Sequence, residues 1–259
     1  MKKSRRLLIA TILGFGLGIL ARQYSLPLAR EVSDLMFRTP DEIRLEDKIG
    51  KPVSLGFFVH GKERLNEISW FDSTYDLTRK TYDNFDRQFN LASRVTILRR
   101  MHGFKNNVRN AEVDEFTREL RISYEDASDA PLVHELAHLW SFHLSQRDKL
   151  SFTDKWRKIS GNHYIKSWQN GDSLDVVLNG TFSQYGLHNI EEDITETTRL
   201  VYVLSDMDRD LTIVKSRSQY ARRLSQKILP KFKEKIKLLR DYGFISEKEY
   251  VGANNKLNQ

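Results

Sequence analysis

Cysteine is absent from all 259 residues. That absence removes disulfide frameworks, thiol nucleophiles and cysteine-bound zinc together, so any transition metal held here must rest on histidine and carboxylate. Internal repeats and low-complexity tracts are also missing. The longest apolar stretch, residues 7–21, is 15 residues long, short of the roughly 20 that span a bilayer as a helix. Excess charge is scarcer than the formal net charge of +7 suggests. Lys2, Lys3, Arg5, Arg6 and Arg22 all flank that apolar stretch, and removing these five from 42 leaves 37 basic residues against 35 acidic. A chain so nearly balanced over its remaining length is not built as a general nucleic-acid binder.

Four cations ahead of an acid-free apolar stretch have the form of an export signal. Its shortness favours a cleaved signal peptide. The flank at Leu20, Ala21 and Arg22 offers only one small residue for a cleavage site, which favours a retained signal anchor. Residues 1–22 are therefore read as a signal peptide or signal anchor with the remainder outside the cytoplasm, in the periplasm, the extracellular space or tethered to a membrane. Residues 23–49 contain Pro27 and Pro40 and read as a linker or peripheral segment. Residues 50–250 form one domain, and residues 251–259 a flexible tail.

Within the domain, residues 53–60, 95–98 and 120–124 are short runs suited to strands, and residues 76–90 predict a helix. After Tyr124 the pattern becomes helical. Ser128 or Asp129 can cap a helix with Pro131 in its first turn, running to about Leu144. A further helix starts near Asn189, and residues 212–240 are helical with Pro230 bending one helix or starting the next. Strands first and helices after predict an α+β fold, a small N-terminal sheet followed by a helical half.

The chemistry centres on His134-Glu135-Leu136-Ala137-His138, an HExxH pattern. Histidines four apart lie one turn apart on one helix face, so both imidazoles can meet one Zn2+ ion about 2 Å away. Glu135 can then take a proton from a metal-polarised water and pass it to a leaving amine. Two histidines and a glutamate on a helix can also be a plain solvated or core face. Here Val133, Leu136, Ala137, Leu139 and Trp140 give the helix an apolar setting that suits a rigid ligand platform. A third protein ligand is needed. The acidic run Glu191-Glu192-Asp193-Ile194-Thr195-Glu196 offers one, since Glu192 and Glu196 are four apart and one can bind metal while the other hydrogen-bonds a ligand histidine. His143 and His188 are alternatives, and the bland reading of the run is an acidic helix N-terminus.

With Tyr185-Gly186 seven residues before Glu192, and with Glu196 and Arg199 after it, the pattern resembles the gluzincin peptidases and, among them, the anthrax lethal factor catalytic domain. The resemblance implies that Glu192 is the third zinc ligand, that Glu196 supports a ligand histidine, and that Tyr185 stabilises the oxyanion. It also implies that residues 120–124 form an exposed sheet edge for an extended peptide or protein substrate; an ordinary interior strand is the equal alternative. The pattern departs from the family at Asp193, Ile194 and Thr195, so the resemblance carries the spacing more firmly than the packing behind the ligand. Between Ile213 and Arg240, ten basic residues and one acid alternate with Leu224, Ile228, Phe232, Ile236 and Leu239. This predicts amphipathic helices with a cationic outer face, either simply solvated or touching an anionic surface. The function expected is an exported zinc endopeptidase; the alternative is a peptide-binding or envelope scaffold protein that kept the fold and lost turnover.

Overall fold

The computed structural model describes residues 40–55, 62–98, 101–102, 108–109, 111–123, 130–161, 164, 180–181, 185–205 and 218–258. The expected signal at residues 1–22, the expected cap at Ser128 or Asp129 and residues 56–60 of the expected first strand lie outside them. Among the described residues no helix is long and apolar enough to cross a membrane.

Helix α1 (Pro40–Ile49) opens on proline, whose fixed φ suits a first helical position, and ends at Gly50 in the left-handed region (φ +65°). Leu45 and Ile49 enter the core, and the Lys48 ammonium bridges Asp72 and Asp76 at 2.5 and 2.7 Å. This part of the expected linker is therefore a docked helix, because two apolar side chains and one cation find partners on the next helix. That helix, α2 (Lys62–Thr81), begins earlier than the sequence suggests, and the chain breaks at residues 82–84 before α3 (Phe85–Phe89). The break carries Asp83 and Asn84, which favour turns, and it lets Tyr82, Asn84 and Gln88 all donate to the Phe244 carbonyl at 2.7–3.2 Å.

Strands β1 (Val53–Leu55), β2 (Arg94–Leu98), β5 (Ala111–Val113) and β6 (Glu119–Ser123) make a sheet of order β1-β2-β6-β5; β3 (Met101–His102) and β4 (Val108–Arg109) pair separately. β1, β2 and β6 are parallel and β5 is antiparallel to β6. Strand alternation sorts the sheet into two faces. Val53, Val95, Ile97, Leu120 and Ile122 face a core shared with Phe71, Phe85 and Phe89. Ser54, Thr96, Glu119, Arg121 and Glu112 form a hydrogen-bonded chain across the other face, with links of 2.9, 2.5, 2.8 and 2.8 Å. β6 is consequently an interior strand. Of the two readings of residues 120–124 the interior strand therefore holds, and the exposed edge belongs to β5, because the hairpin at residues 114–118 folds β5 back alongside β6.

The helical half follows: α4 (Ala130–His143), α5 (Gln146–Ser160), α6 (Ile190–Ser205), α7 (Ser218–Asp241) and α8 (Glu247–Leu257). α4 lies between two cores. Leu132, Val133, Leu136 and Leu139 join the sheet side, while Ala137 joins Phe152, Trp156, Ile194, Val201, Ile236 and Phe244 on the other. Pro230 sits inside α7 rather than at a helix start. α8 is fixed by a reciprocal capping box between Ser246 and Glu249, and Ala253 is fully buried. Residues 251–257 are thus a packed helix rather than a flexible tail. The fold is α+β, with a small sheet and a predominantly helical second half.

Candidate metal centre

α4 presents His134 and His138 one turn apart, with ring centroids 5.0 Å from each other. The adjacent helix α6 delivers Glu192 from its first turn. Asn189 fixes that register by accepting the Glu192 amide on its side chain at 2.9 Å, while its carbonyl accepts the Asp193 amide at 3.1 Å. Glu192 Oε2 lies 3.2 Å from His134 Nε2 and 3.6 Å from His138 Nε2. In a tetrahedral zinc site with bonds near 2 Å, two ligand atoms stand about 3.3 Å apart, so these separations match one shared cation. Glu192 Oε2 is also buried without a hydrogen-bond partner. A carboxylate oxygen buried that way is costly unless something cationic completes it. Among the described residues, His134, His138 and Glu192 are the group able to hold a metal ion.

Behind the ligands runs a chain of hydrogen bonds. His134 Nδ1 is 3.0 Å from Glu196 Oε1, and Arg199 donates to Glu196 Oε2 at 2.7 Å. A proton on Nδ1 facing this carboxylate would leave the Nε2 lone pair for a metal, the tautomer a metal requires. Burial opposes charge on His134, but the carboxylates of Glu192 and Glu196 on either side of its ring prevail and raise its pKa to about 10. Burial would raise Glu192, yet His134 and His138 hold its carboxyl well below the usual range. The pocket is thus built to stabilise positive charge, which a metal can supply in place of a proton.

Glu135 is 6% exposed and its pKa is raised, first by burial, with the neighbouring histidines pulling the other way. Tyr185 stands in a 3-10 turn (Tyr185–Leu187) that leads directly into α6. Its ring is 6.0 Å from that of His134, and the residue is 40% exposed. The two alternative ligand candidates, His143 and His188, stay apart: both are exposed, and His143 lies against the Trp140 ring, 5.2 Å between centroids.

The packing behind Glu192, where the pattern departs from the family, is dense: Asp193 and Thr195 are 0% and 1% exposed. One expectation changes. Lys235 belongs to no cationic outer face but is fully buried, 2.6 Å from Asp193 Oδ2. Sequence reading missed this pair because its members are 42 residues apart and each sits among charges that look solvated. The alternation of Phe232, Ile236 and Leu239 around Lys235 was the available signal, since position 235 falls on the inward side of the same helix.

An α+β domain holding two histidines of one helix and a glutamate of the next around one point has the build of a zinc metallopeptidase. The chain belongs to the family described as putative zinc-binding metallo-peptidase, whose model matches residues 92–255. Among solved structures, a putative zinc-binding metallo-peptidase from Bacteroides caccae ATCC 43185 is similar, at 13% identity over 86% of this chain and 95% of that one, with a TM-score of 0.49. No curated protein matches the chain.

Proposed function

We propose that this protein is an exported zinc endopeptidase of gluzincin type, with His134, His138 and Glu192 as metal ligands, Glu135 as general base and Tyr185 as oxyanion donor. The observation that carries the reading is the unpartnered, buried Glu192 Oε2 aimed between two imidazole Nε2 atoms. A metal bound there supplies Lewis acidity, polarising the scissile carbonyl and acidifying water. Glu135, desolvated and hence more basic than an exposed glutamate, accepts the proton of the attacking water and delivers it to the leaving nitrogen. The Tyr185 hydroxyl donates to the carbonyl oxygen as negative charge builds on it. An extended peptide adds to the sheet at β5, the edge strand packed beside α4. The closer kinship with the lethal factor catalytic domain is supported by the spacing of Tyr185, Glu192, Glu196 and Arg199. Export is supported by Lys2, Lys3, Arg5 and Arg6 ahead of residues 7–21. Basic residues of α7 contact an anionic surface, a reading supported by the ten basic residues and one acid between Ile213 and Arg240.

The test compares Glu135→Gln with Glu192→Ala in metal content and in hydrolysis of an unstructured protein. Glu135→Gln should keep about one zinc per chain and lose roughly 100-fold or more in turnover. Glu192→Ala should lose zinc first and recover partly at high zinc concentration. Wild-type protein that binds zinc yet cleaves nothing would instead favour a peptide-binding protein without turnover. For export, protease added to intact spheroplasts should digest the domain; complete protection until lysis would refute it.

A further inference from the structure

The side chain of Glu192 makes no hydrogen bond through its metal-facing oxygen, so its position depends on how the first turn of α6 is held. The neighbouring residue holds it. Consecutive helical residues point about 100° apart, so while Glu192 faces the histidines, Asp193 faces the second core. There a single oxygen, Oδ2, accepts from Trp156 Nε1 at 2.8 Å, Ser160 Oγ at 3.2 Å, Tyr164 OH at 2.9 Å and Lys235 Nζ at 2.6 Å. The anchor thus draws on α5, the segment after it, and α7. Lys235 also donates to the Gly180 carbonyl at 3.1 Å. The turn carrying Tyr185 packs on the same point: a β-carbon at Gly186 would lie 3.4 Å from Asp193 Cα and 3.5 Å from Thr181 Cβ. One carboxylate therefore ties together the segment at residues 180–181, the Tyr185 turn and the turn bearing Glu192.

We propose that Asp193 and Lys235 are a positioning pair that fixes the Glu192 carboxylate relative to the two histidines. The proposal rests on the metal-site reading above. A buried ion pair is often no more stabilising than apolar residues of similar volume, whereas a ligand whose support is loosened typically loses 10- to 100-fold in metal affinity. The pair acts on the site through backbone placement, since neither residue touches the metal position.

The test uses the full-length protein and two double variants, each removing both charges so that no buried charge is stranded. In Asp193→Asn with Lys235→Met, the amide oxygen can still accept from Trp156, Ser160 and Tyr164. In Asp193→Ala with Lys235→Met, the anchor is gone. Zinc affinity is measured by chelator competition, ligand geometry by the visible absorption of the cobalt-substituted protein, and folding by thermal unfolding. The asparagine variant, which keeps three of the four hydrogen bonds to residue 193 but loses the Lys235 tether, should fall between wild type and the alanine variant in zinc affinity. The alanine variant should bind zinc about 10- to 100-fold more weakly and show a shifted cobalt spectrum at a temperature where it is folded. A folded alanine variant with wild-type affinity and spectrum would overturn the proposal. If that variant does not fold, Asp193→Glu, which keeps the charge but lengthens the tether, carries the same expectation and the same refutation. Wild-type protein without zinc affinity would overturn the metal site itself and this inference with it. Normal binding by wild type and variant alike overturns only the positioning role.

Discussion

Replacing Glu196 with glutamine changes one atom and tests how the centre is electrostatically supported. Glu196 is 4% exposed and sits between His134 Nδ1 at 3.0 Å and Arg199 at 2.7 Å. The amide can still accept the His134 proton, so geometry and tautomer are retained while the negative charge is lost. A dication on the far side of the imidazole stands about 6 Å from that carboxylate, worth roughly 5 kcal/mol at an effective dielectric constant near 20. Without metal the same carboxylate stabilises the proton that His134 carries, so part of that attraction is present before zinc binds, leaving a net loss of about 2 kcal/mol, or about 30-fold in zinc affinity. Chelator competition near neutral pH, with folding checked by circular dichroism, reads this directly. Folded Glu196→Gln protein with unchanged zinc affinity would refute the reasoning, because it would mean that Glu196 does not polarise a ligand.

Tyr185→Phe should keep zinc and lose about 100-fold or more in kcat with little change in KM, since its hydrogen bond forms as the oxyanion develops; an equal loss in KM alone would assign Tyr185 to substrate binding. Leu136→Ala, at a fully buried position of α4 between the ligand histidines, should destabilise the fold by about 2–5 kcal/mol in urea unfolding, and a loss under 1 kcal/mol would mean that α4 is not the core platform. Glu249 lies away from the metal centre; burial raises its pKa to about 7, against the backbone hydrogen bonds from Ser246 and Asp83. The folded state therefore holds more protons than the unfolded state between pH 4.5 and 7, so stability falls as pH rises through that window, by about 3 kcal/mol. Glu249→Gln should flatten this part of the stability profile, and an equal fall in wild type and variant between pH 5 and 8 would refute it.

The sequence alone determined the parts of this protein that depend on near neighbours. Helical periodicity places His134 and His138 on one face, and Asn189 caps the helix carrying Glu192. The order of strands and helices fixes the α+β class. The absence of cysteine limits any metal to histidine and carboxylate ligands. Tertiary structure decided everything that required distant segments to meet. It selected Glu192 over His143 and His188 as the group nearest both imidazoles, made β5 rather than β6 the sheet edge, and turned residues 40–49 and 251–257 from expected linker and tail into packed helices. It also drew Lys235 inward to Asp193. Local patterns record which faces are apolar and where helices begin, whereas a charge can be buried only when the fold brings its partners to it.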